Sequence, residues 1–340
     1  MVTSNIGIVN SSSFGLYFPK HLERLSSLGK VERIKVDKNI SGEILAQRLK
    51  GFQIIVASVT PQYDKRFFAF NEEAVLIARH GIGVNNVDVE AATEAGVLVS
   101  RVPGAMERDS MAEHTVTLLL QVARKINLAA QAVKEDKWSE RAKFLGMEIK
   151  GKKVGIIGLG NIGSRVAEIL RAGFGVEVLA YDPYLSPEVI KAKGAKPLDL
   201  DSLLREADII TLHAALNTNT HHMLGRREFA LMKEGVILVN TARGELIAGE
   251  ALVESLEKGK IAGVGMDVVE GEPIGKEHPF LRFSNVVIVP HIGTYTRESL
   301  ERMGDKVVED VERLLVNKEA PKELVNPAVL KKPNRAQLGL

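Results

Sequence analysis

Arg243, Glu272 and His291 each follow an apolar run that predicts a β-strand in the second half of the 340-residue chain. If those strands are parallel, their carboxyl ends meet at one edge of a sheet, so residues distant in sequence can converge there. Singly, each residue has an ordinary interpretation: a surface ion pair, a loop carboxylate, a structural histidine. Together they supply a cation, a carboxylate and an acid–base group.

This set of groups suits the reduction of a 2-keto acid. A planar guanidinium matches a carboxylate bidentately, so Arg243 can hold the substrate and polarise its carbonyl. His291 can protonate the carbonyl oxygen near neutral pH. Glu272 can bond the other imidazole nitrogen and favour the protonated ring. The hydride must come from a nicotinamide cofactor, so a dinucleotide site is also required.

The segment Lys153–Tyr184 contains the parts of such a site in the right order. A strand leads into the loop GLGNIG, a helix follows, and a second strand ends at Asp182. Gly158 permits the tight turn, Gly160 lets a pyrophosphate approach the backbone, and Gly163 lets helix and strand pack closely. The first N–H groups of the helix can bind the phosphates. An ordinary βαβ turn is the alternative interpretation.

Asp182 predicts which dinucleotide binds. It lies 19 residues after Gly163, near the spacing of a carboxylate that binds the ribose hydroxyls. A carboxylate there should repel a 2′-phosphate, and no arginine follows it closely. NAD is therefore expected, and NADP is less favoured.

The composition excludes several other classes of protein. Hydrophobic residues make up 45% of the chain and charged residues 26%, and the formal net charge of +2 gives no reason to expect a nucleic-acid or membrane surface. There is no cysteine, and the N-terminus lacks the pattern of a secretory signal, so a cytoplasmic location is expected. His213, His221 and His222 have no nearby carboxylate pattern, and no metal site is predicted.

Apolar runs alternate with amphipathic segments along most of the chain, which predicts an α/β fold with parallel sheets. Met106–Ala130 has the pattern of one long helix that crosses between two domains. Ala130–Lys150 is polar and irregular, contains the only tryptophan, Trp138, and can be an arm onto a partner subunit or a surface loop. The predicted strands are Ile6–Val9, Val31–Val36, Gln53–Ala57, Val75–Arg79, Val97–Ser100, Val154–Ile157, Val176–Tyr181, Asp208–Leu212, Val236–Asn240, Ile261–Met266 and Val286–Val289.

Six motifs together resemble the D-isomer-specific 2-hydroxyacid dehydrogenases, and in particular glyoxylate and hydroxypyruvate reductases. They are RHGIGVNNVD, RVPGA…SMAEHT, GKKVGIIGLGNIG, NTARGELI, GVGMDVVEGEP and VPHIG, within a region from about Ile54 to Pro327. The resemblance implies that Arg243, Glu272 and His291 are catalytic. It implies that the substrate carboxylate binds backbone N–H groups of Gly81, Ile82, Gly83 and Val84. It implies cofactor contacts at Ser110, Gly158, Gly160, Asn161, Ile162, Gly163, Asp182, Thr241 and Asp267, where Asp267 would meet the nicotinamide amide.

The resemblance also implies how the chain is divided. It predicts two doubly wound parallel-sheet domains, with a Rossmann-type NAD domain at residues 104–293 inserted into a flavodoxin-like catalytic domain formed by residues 1–103 and 294–340. Members of the family are usually dimers, so a homodimer is expected, with the segment around Trp138 as the arm that wraps the partner.

The sequence differs from three narrower groups of this family at positions that bear on the identity of the substrate. The loop Ala57–Thr60 lacks the arginine with which human-type phosphoglycerate dehydrogenases grip a phosphate, and their long C-terminal regulatory domains are not seen. Ile82 replaces a lysine of phosphite dehydrogenases, and Glu272 replaces a glutamine of formate dehydrogenases. NAD-dependent conversion between a small 2-keto acid and its D-2-hydroxy acid is therefore expected. D-3-phosphoglycerate dehydrogenase and a non-enzymatic NADH-sensing protein that resembles C-terminal-binding-protein corepressors are the alternatives.

Overall fold

A computed structural model describes residues Ser4–Lys331. The chain divides into two compact units: the first contains the residues up to Glu107 and those from Tyr295 onward, and the second is Arg108–Thr294. These bounds lie within four residues of the predicted division, and the roles predicted for the two parts stay predictions. The last nine residues of the predicted 294–340 segment lie outside the described part of the chain.

The first unit contains a five-stranded parallel sheet in the order β2-β1-β3-β4-β5. This order is that of flavodoxin-like sheets, as predicted. β3 and β4 are buried along their whole length, since helices cover both faces. The strands are β1 (Ser4–Val9), β2 (Gly29–Ile34), β3 (Ile54–Ala57), β4 (Leu76–Arg79) and β5 (Leu98–Ser100), and the helices are α1 (Lys20–Leu28), α2 (Gly42–Arg48), α3 (Lys65–Phe70), α4 (Val89–Glu94) and, near the C-terminus, α12 (Arg297–Leu315).

The second unit contains a seven-stranded parallel sheet in the order β12-β11-β10-β9-β6-β7-β8. Counted from β6, this is the doubly wound order of dinucleotide-binding domains with one further strand, as predicted. Its strands are β6 (Lys153–Ile157), β7 (Glu177–Tyr181), β8 (Lys196–Pro197), β9 (Ile209–Leu212), β10 (Val236–Asn240), β11 (Ile261–Met266) and β12 (Val286–Ile288). Its helices are α6 (Ile126–Lys134), α7 (Asn161–Phe174), α8 (Pro187–Ala192), α9 (Leu200–Glu206), α10 (Arg226–Leu231) and α11 (Gly249–Glu257); α5 (Gly104–Ala123) contains the first boundary between the units.

The single long helix predicted over Met106–Ala130 is wrong. α5 ends at Ala123, and α6 begins after Lys125, whose φ of 53° is left-handed. The Ala123 carbonyl accepts a hydrogen bond from the Met147 N–H at 2.7 Å instead of continuing the helix. The segment predicted as irregular contains the end of α6 and a 3₁₀ helix, Trp138–Phe144, in which the Trp138 side chain is 71% exposed.

Two smaller differences have local causes. The pattern of Leu16–Leu28 predicts a helix over all these residues, but α1 begins only at Lys20, after Pro19 at the N-cap position. The helix α8 and the short strand β8 were missed, since six helical residues and two strand residues carry little periodic signal. Among residues 4–331, no helix combines the length and the apolar character that crossing a bilayer requires.

Candidate active site

The glycine loop after β6 has the geometry that its three glycines predict. Gly158 has a φ of 93°, and a Cβ there would lie 2.7 Å from the Ala214 nitrogen. A Cβ on Gly163 would lie 2.1 Å from the Gly158 carbonyl oxygen, so helix and loop pack too closely for a side chain. A Cβ on Gly160 would meet no atom within 4 Å. Packing thus requires two of the glycines, and the third faces open space.

The start of α7 and the end of β7 present complementary groups. Gly160 is the N-cap of α7 and has no side chain to bond the first helical N–H groups, whereas Asp199 caps α9 through the Ser202 N–H at 2.9 Å. The carboxylate of Asp182 accepts hydrogen bonds from the Leu159 N–H at 2.8 Å and from the Tyr184 N–H at 3.0 Å. These bonds hold the carboxylate beside the glycine loop. The arrangement fits a dinucleotide, with N–H groups for phosphates and an acid for ribose hydroxyls.

The turn that carries Arg243 is shaped by Asn240 at the end of β10. The Asn240 amide donates to the Arg243 carbonyl at 2.8 Å and accepts from the Ala242 N–H at 3.0 Å. A Cβ on Gly244 would lie 2.0 Å from the Glu270 nitrogen, so only glycine lets the turns after β10 and β11 pass this closely. The Arg243 guanidinium donates to the Ala242 carbonyl at 2.6 Å and is partly exposed.

His291 and Glu272 form a hydrogen-bonded pair. Nδ1 of His291 bonds Oε1 of Glu272, and the other Glu272 oxygen accepts from the Val269 N–H at 3.1 Å. The side chains are 34% and 33% exposed. A carboxylate can only accept, so Nδ1 carries a hydrogen and Nε2 is the nitrogen that can give or take a proton. This is the arrangement that a supported acid–base histidine requires.

Asp267, at the end of β11, holds the segment that contains His291. Its buried carboxylate accepts from the Ile292 N–H at 2.7 Å and from the Gly293 N–H at 3.0 Å, and its backbone carbonyl accepts from the His291 N–H at 2.9 Å. His291 itself has a left-handed φ of 54°. The predicted contact between Asp267 and a nicotinamide amide stays a prediction, but the residue has a clear structural role.

The other predicted cofactor contacts lie in the second unit. Asn161 and Ile162 form the first turn of α7, and Asn161 is exposed. Ser110 is buried in α5, and Thr241 is buried after β10. The hydroxyl of Thr241 is 2.8 Å from that of Thr115. Their contacts with a cofactor stay predictions.

The predicted carboxylate loop, Gly81–Val84, follows β4 in the first unit. The Gly81 carbonyl accepts from the Val102 N–H at 3.1 Å, which fixes the start of the loop. The Gly81 N–H donates to the Arg79 carbonyl at 3.0 Å, whereas within residues 4–331 the N–H groups of Ile82, Gly83 and Val84 donate to no acceptor. The loop therefore offers three backbone donors, the groups that a carboxylate ligand needs.

The three histidines considered for metal binding are in two different environments. His213 bonds the Thr211 hydroxyl at 3.0 Å, and burial lowers the pKa of its imidazole to about 3. His221 and His222 are exposed, with ring centroids 3.9 Å apart. The structure places Glu270 beside them, which the sequence pattern did not show.

Sequence reasoning also missed residues that support the predicted ones. Asn240 shapes the Arg243 turn, His114 lies 3.2 Å from the Asp267 carboxylate, and Thr115 bonds Thr241. All three lie within the motifs MAEHT and NTARGELI, next to residues with predicted catalytic or cofactor roles.

Comparison with known proteins identifies the family. Residues 116–293, just over half of the chain, match the model of the NAD binding domain of the D-isomer specific 2-hydroxyacid dehydrogenases. The chain belongs to this family. The predicted fold, two α/β units of which one is an NAD-binding domain, is therefore confirmed.

Individual relatives agree with this assignment. A D-3-phosphoglycerate dehydrogenase of Archaeoglobus fulgidus is 40% identical over 82% of this chain and 52% of its own length, so the chain spans about half of that relative. A glyoxylate reductase of Thermococcus litoralis is 35% identical over 91% of this chain and 94% of its own length. A solved glyoxylate reductase from Paecilomyes thermophila has a TM-score of 0.80 and 32% identity, covering 95% of this chain and 98% of that one.

Proposed function

We propose that the protein interconverts a small 2-keto acid and its D-2-hydroxy acid with NAD(H). The observation that carries the proposal is the pair of His291 and Glu272, with Arg243 in the turn after β10 of the same unit. Glyoxylate, hydroxypyruvate and pyruvate are the proposed class of substrate. The similarity to glyoxylate reductases along nearly their whole length supports this class.

The residues divide the work of reduction. Arg243 binds the substrate carboxylate and polarises the carbonyl. The carboxylate contacts of Gly81–Val84 stay a prediction. NADH, when bound, supplies the hydride. Nε2 of His291 gives its proton to the carbonyl oxygen, and Glu272 stabilises the imidazolium through Nδ1. In the oxidation direction, Nε2 accepts the proton from the hydroxyl.

The proposed preference for NAD rests on Asp182. Its carboxylate accepts hydrogen bonds from two backbone N–H groups, which hold it beside the glycine loop. A 2′-phosphate would meet a fixed negative charge there. Parallel titrations with NADH and NADPH test this preference, and equal affinities would contradict it. A homodimer that uses the arm around Trp138 and a cytoplasmic location are further parts of the proposal.

A panel of 2-keto acids assayed with NADH tests the activity directly. We expect turnover of at least one acid, followed by nicotinamide absorbance. Protein that binds NADH tightly but reduces none of them would support the NADH-sensing alternative and refute the enzymatic one.

D-3-phosphoglycerate dehydrogenase is the second candidate, because the Archaeoglobus relative is 40% identical. The segment Ser58–Thr60 after β3 has no cationic side chain for a phosphate. We therefore expect weaker activity with 3-phosphoglycerate than with the unphosphorylated acids. A direct comparison of kcat/KM for the oxidation of 3-phosphoglycerate and the reduction of hydroxypyruvate distinguishes the two.

A further inference from the structure

We propose that His221, His222 and Glu270 form a binding site for one divalent transition-metal ion of the zinc type. One ligand atom from each of the three side chains lies within 4.8 Å of the others, and all three residues are exposed. The site lies outside the set of residues to which the proposed reaction is assigned.

The chemistry of the donors selects the class of ion. Two imidazoles and one carboxylate form a ligand set that zinc, cobalt, nickel and copper bind well, whereas magnesium and calcium prefer oxygen ligands. Nε2 of His222 is 2.9 Å from Oε2 of Glu270. In a tetrahedral zinc site with bonds of about 2.0 Å, ligand atoms are about 3.3 Å apart. A small opening of this contact admits the ion between Nε2 of His222 and Oε2 of Glu270.

Backbone contacts hold two of the ligands near each other without the ion. The His222 N–H donates to the Glu245 carbonyl at 2.7 Å, and the Leu224 N–H donates to the Leu246 carbonyl at 3.1 Å. These bonds join the turn of the histidines to the turn after β10. That turn touches the Glu270 backbone at Gly244, where a Cβ would lie 2.0 Å from the Glu270 nitrogen. Binding therefore requires little ordering of the backbone.

The third ligand completes the site. The rings of His221 and His222 are 3.9 Å apart and inclined by 34°. Since His221 is exposed, its ring can rotate to the ion without moving the core. Three protein ligands leave one position for water or a small anion, as in open zinc sites.

Cobalt(II) and zinc(II) binding to the full chain test this inference. The protein carries no histidine tag and is first dialysed against a chelator. We expect one equivalent of cobalt(II) to develop a visible absorption band, and zinc(II) to displace it with a stoichiometry of one by calorimetry. His221→Ala and Glu270→Gln should each weaken binding by more than about tenfold, since even the loss of an outer partner of a metal ligand costs about 10–100-fold.

His278→Gln is the matched control, because His278 is a partly exposed histidine outside the cluster. It should bind cobalt(II) as the wild type does. Circular dichroism checks that each variant is folded, and Glu270→Gln preserves both the size of the side chain and an acceptor for His222. Binding that is unchanged in folded His221→Ala and Glu270→Gln would overturn the inference, as would a wild type that binds no cobalt(II). Neither result bears on the proposed reduction, which requires no metal at this position.

Discussion

Replacing Glu272 by glutamine removes the charge beside His291 while leaving the side chain nearly the same size. The Val269 N–H donates to one oxygen of Glu272 at 3.1 Å, so the glutamine carbonyl must occupy that position. The glutamine NH₂ group then faces Nδ1 of His291. Two donors would oppose each other whenever the imidazole is protonated, so the variant disfavours the acid form that the reduction uses.

The size of the effect follows from the bond that is lost. A hydrogen bond to a charged group contributes about 1.5–3 kcal/mol, and the pair is one third exposed, so water lowers this value. Since about 1.4 kcal/mol corresponds to tenfold in rate, we expect kcat to fall by about 10- to 100-fold.

The assay is the steady-state reduction of glyoxylate or hydroxypyruvate with NADH, with the Kd for NADH measured separately by fluorescence. The Kd should not change, because Glu272 lies outside the glycine loop. Glu277→Gln, which removes a carboxylate that is 89% exposed, is the control and should retain the kcat of the wild type. A kcat for Glu272→Gln within about twofold of the wild type would refute the role assigned to the pair.

Four further substitutions separate binding from stability. Gly160→Ala should leave the Tm unchanged, because the added Cβ meets no protein atom. It should weaken NADH binding at least about tenfold, because the Cβ would occupy the space expected for the pyrophosphate. Gly163→Ala should lower the Tm, because its Cβ would overlap the Gly158 carbonyl oxygen. Asp267→Asn should lower the free energy of unfolding in urea by about 1–3 kcal/mol, because one of the two N–H groups that donate to the buried carboxylate loses its acceptor. Burial and the charge of Arg79 lower the pKa of His80 to about 3, so the unfolded chain binds a proton more readily below about pH 6.5. Stability should then fall as the pH decreases from 6.5 toward 3, by up to about 1.4 kcal/mol per pH unit, and His80→Gln should reduce this slope.

The sequence predicted the central strands of the two sheets well because these strands are apolar and buried. β9 and β10 are buried at every position, so each appears as a continuous apolar run between polar turns. The glycine loop was also predictable, since Gly158 and Gly163 are required by backbone geometry that few other residues permit.

Contacts between distant segments were not predictable in the same way. The break after Ala123 depends on a hydrogen bond from Met147, and the apolar pattern continues through it without interruption. His222 and Glu270 are 48 positions apart and meet only because Gly244 lets two turns approach closely. The bonds of Asp267 to the Ile292 and Gly293 N–H groups likewise exist only in the folded chain.

The role of His291 is tested by comparing the wild type with His291→Ala in the reduction of glyoxylate, hydroxypyruvate and pyruvate, with NADH binding measured on the same samples. We expect the wild type to turn over at least one acid. We expect His291→Ala to lose at least about 100-fold in kcat, since a general acid contributes about 10²–10⁴-fold, while the Kd for NADH is unchanged. A variant that turns over at the rate of the wild type would contradict the role of His291 as the acid–base group.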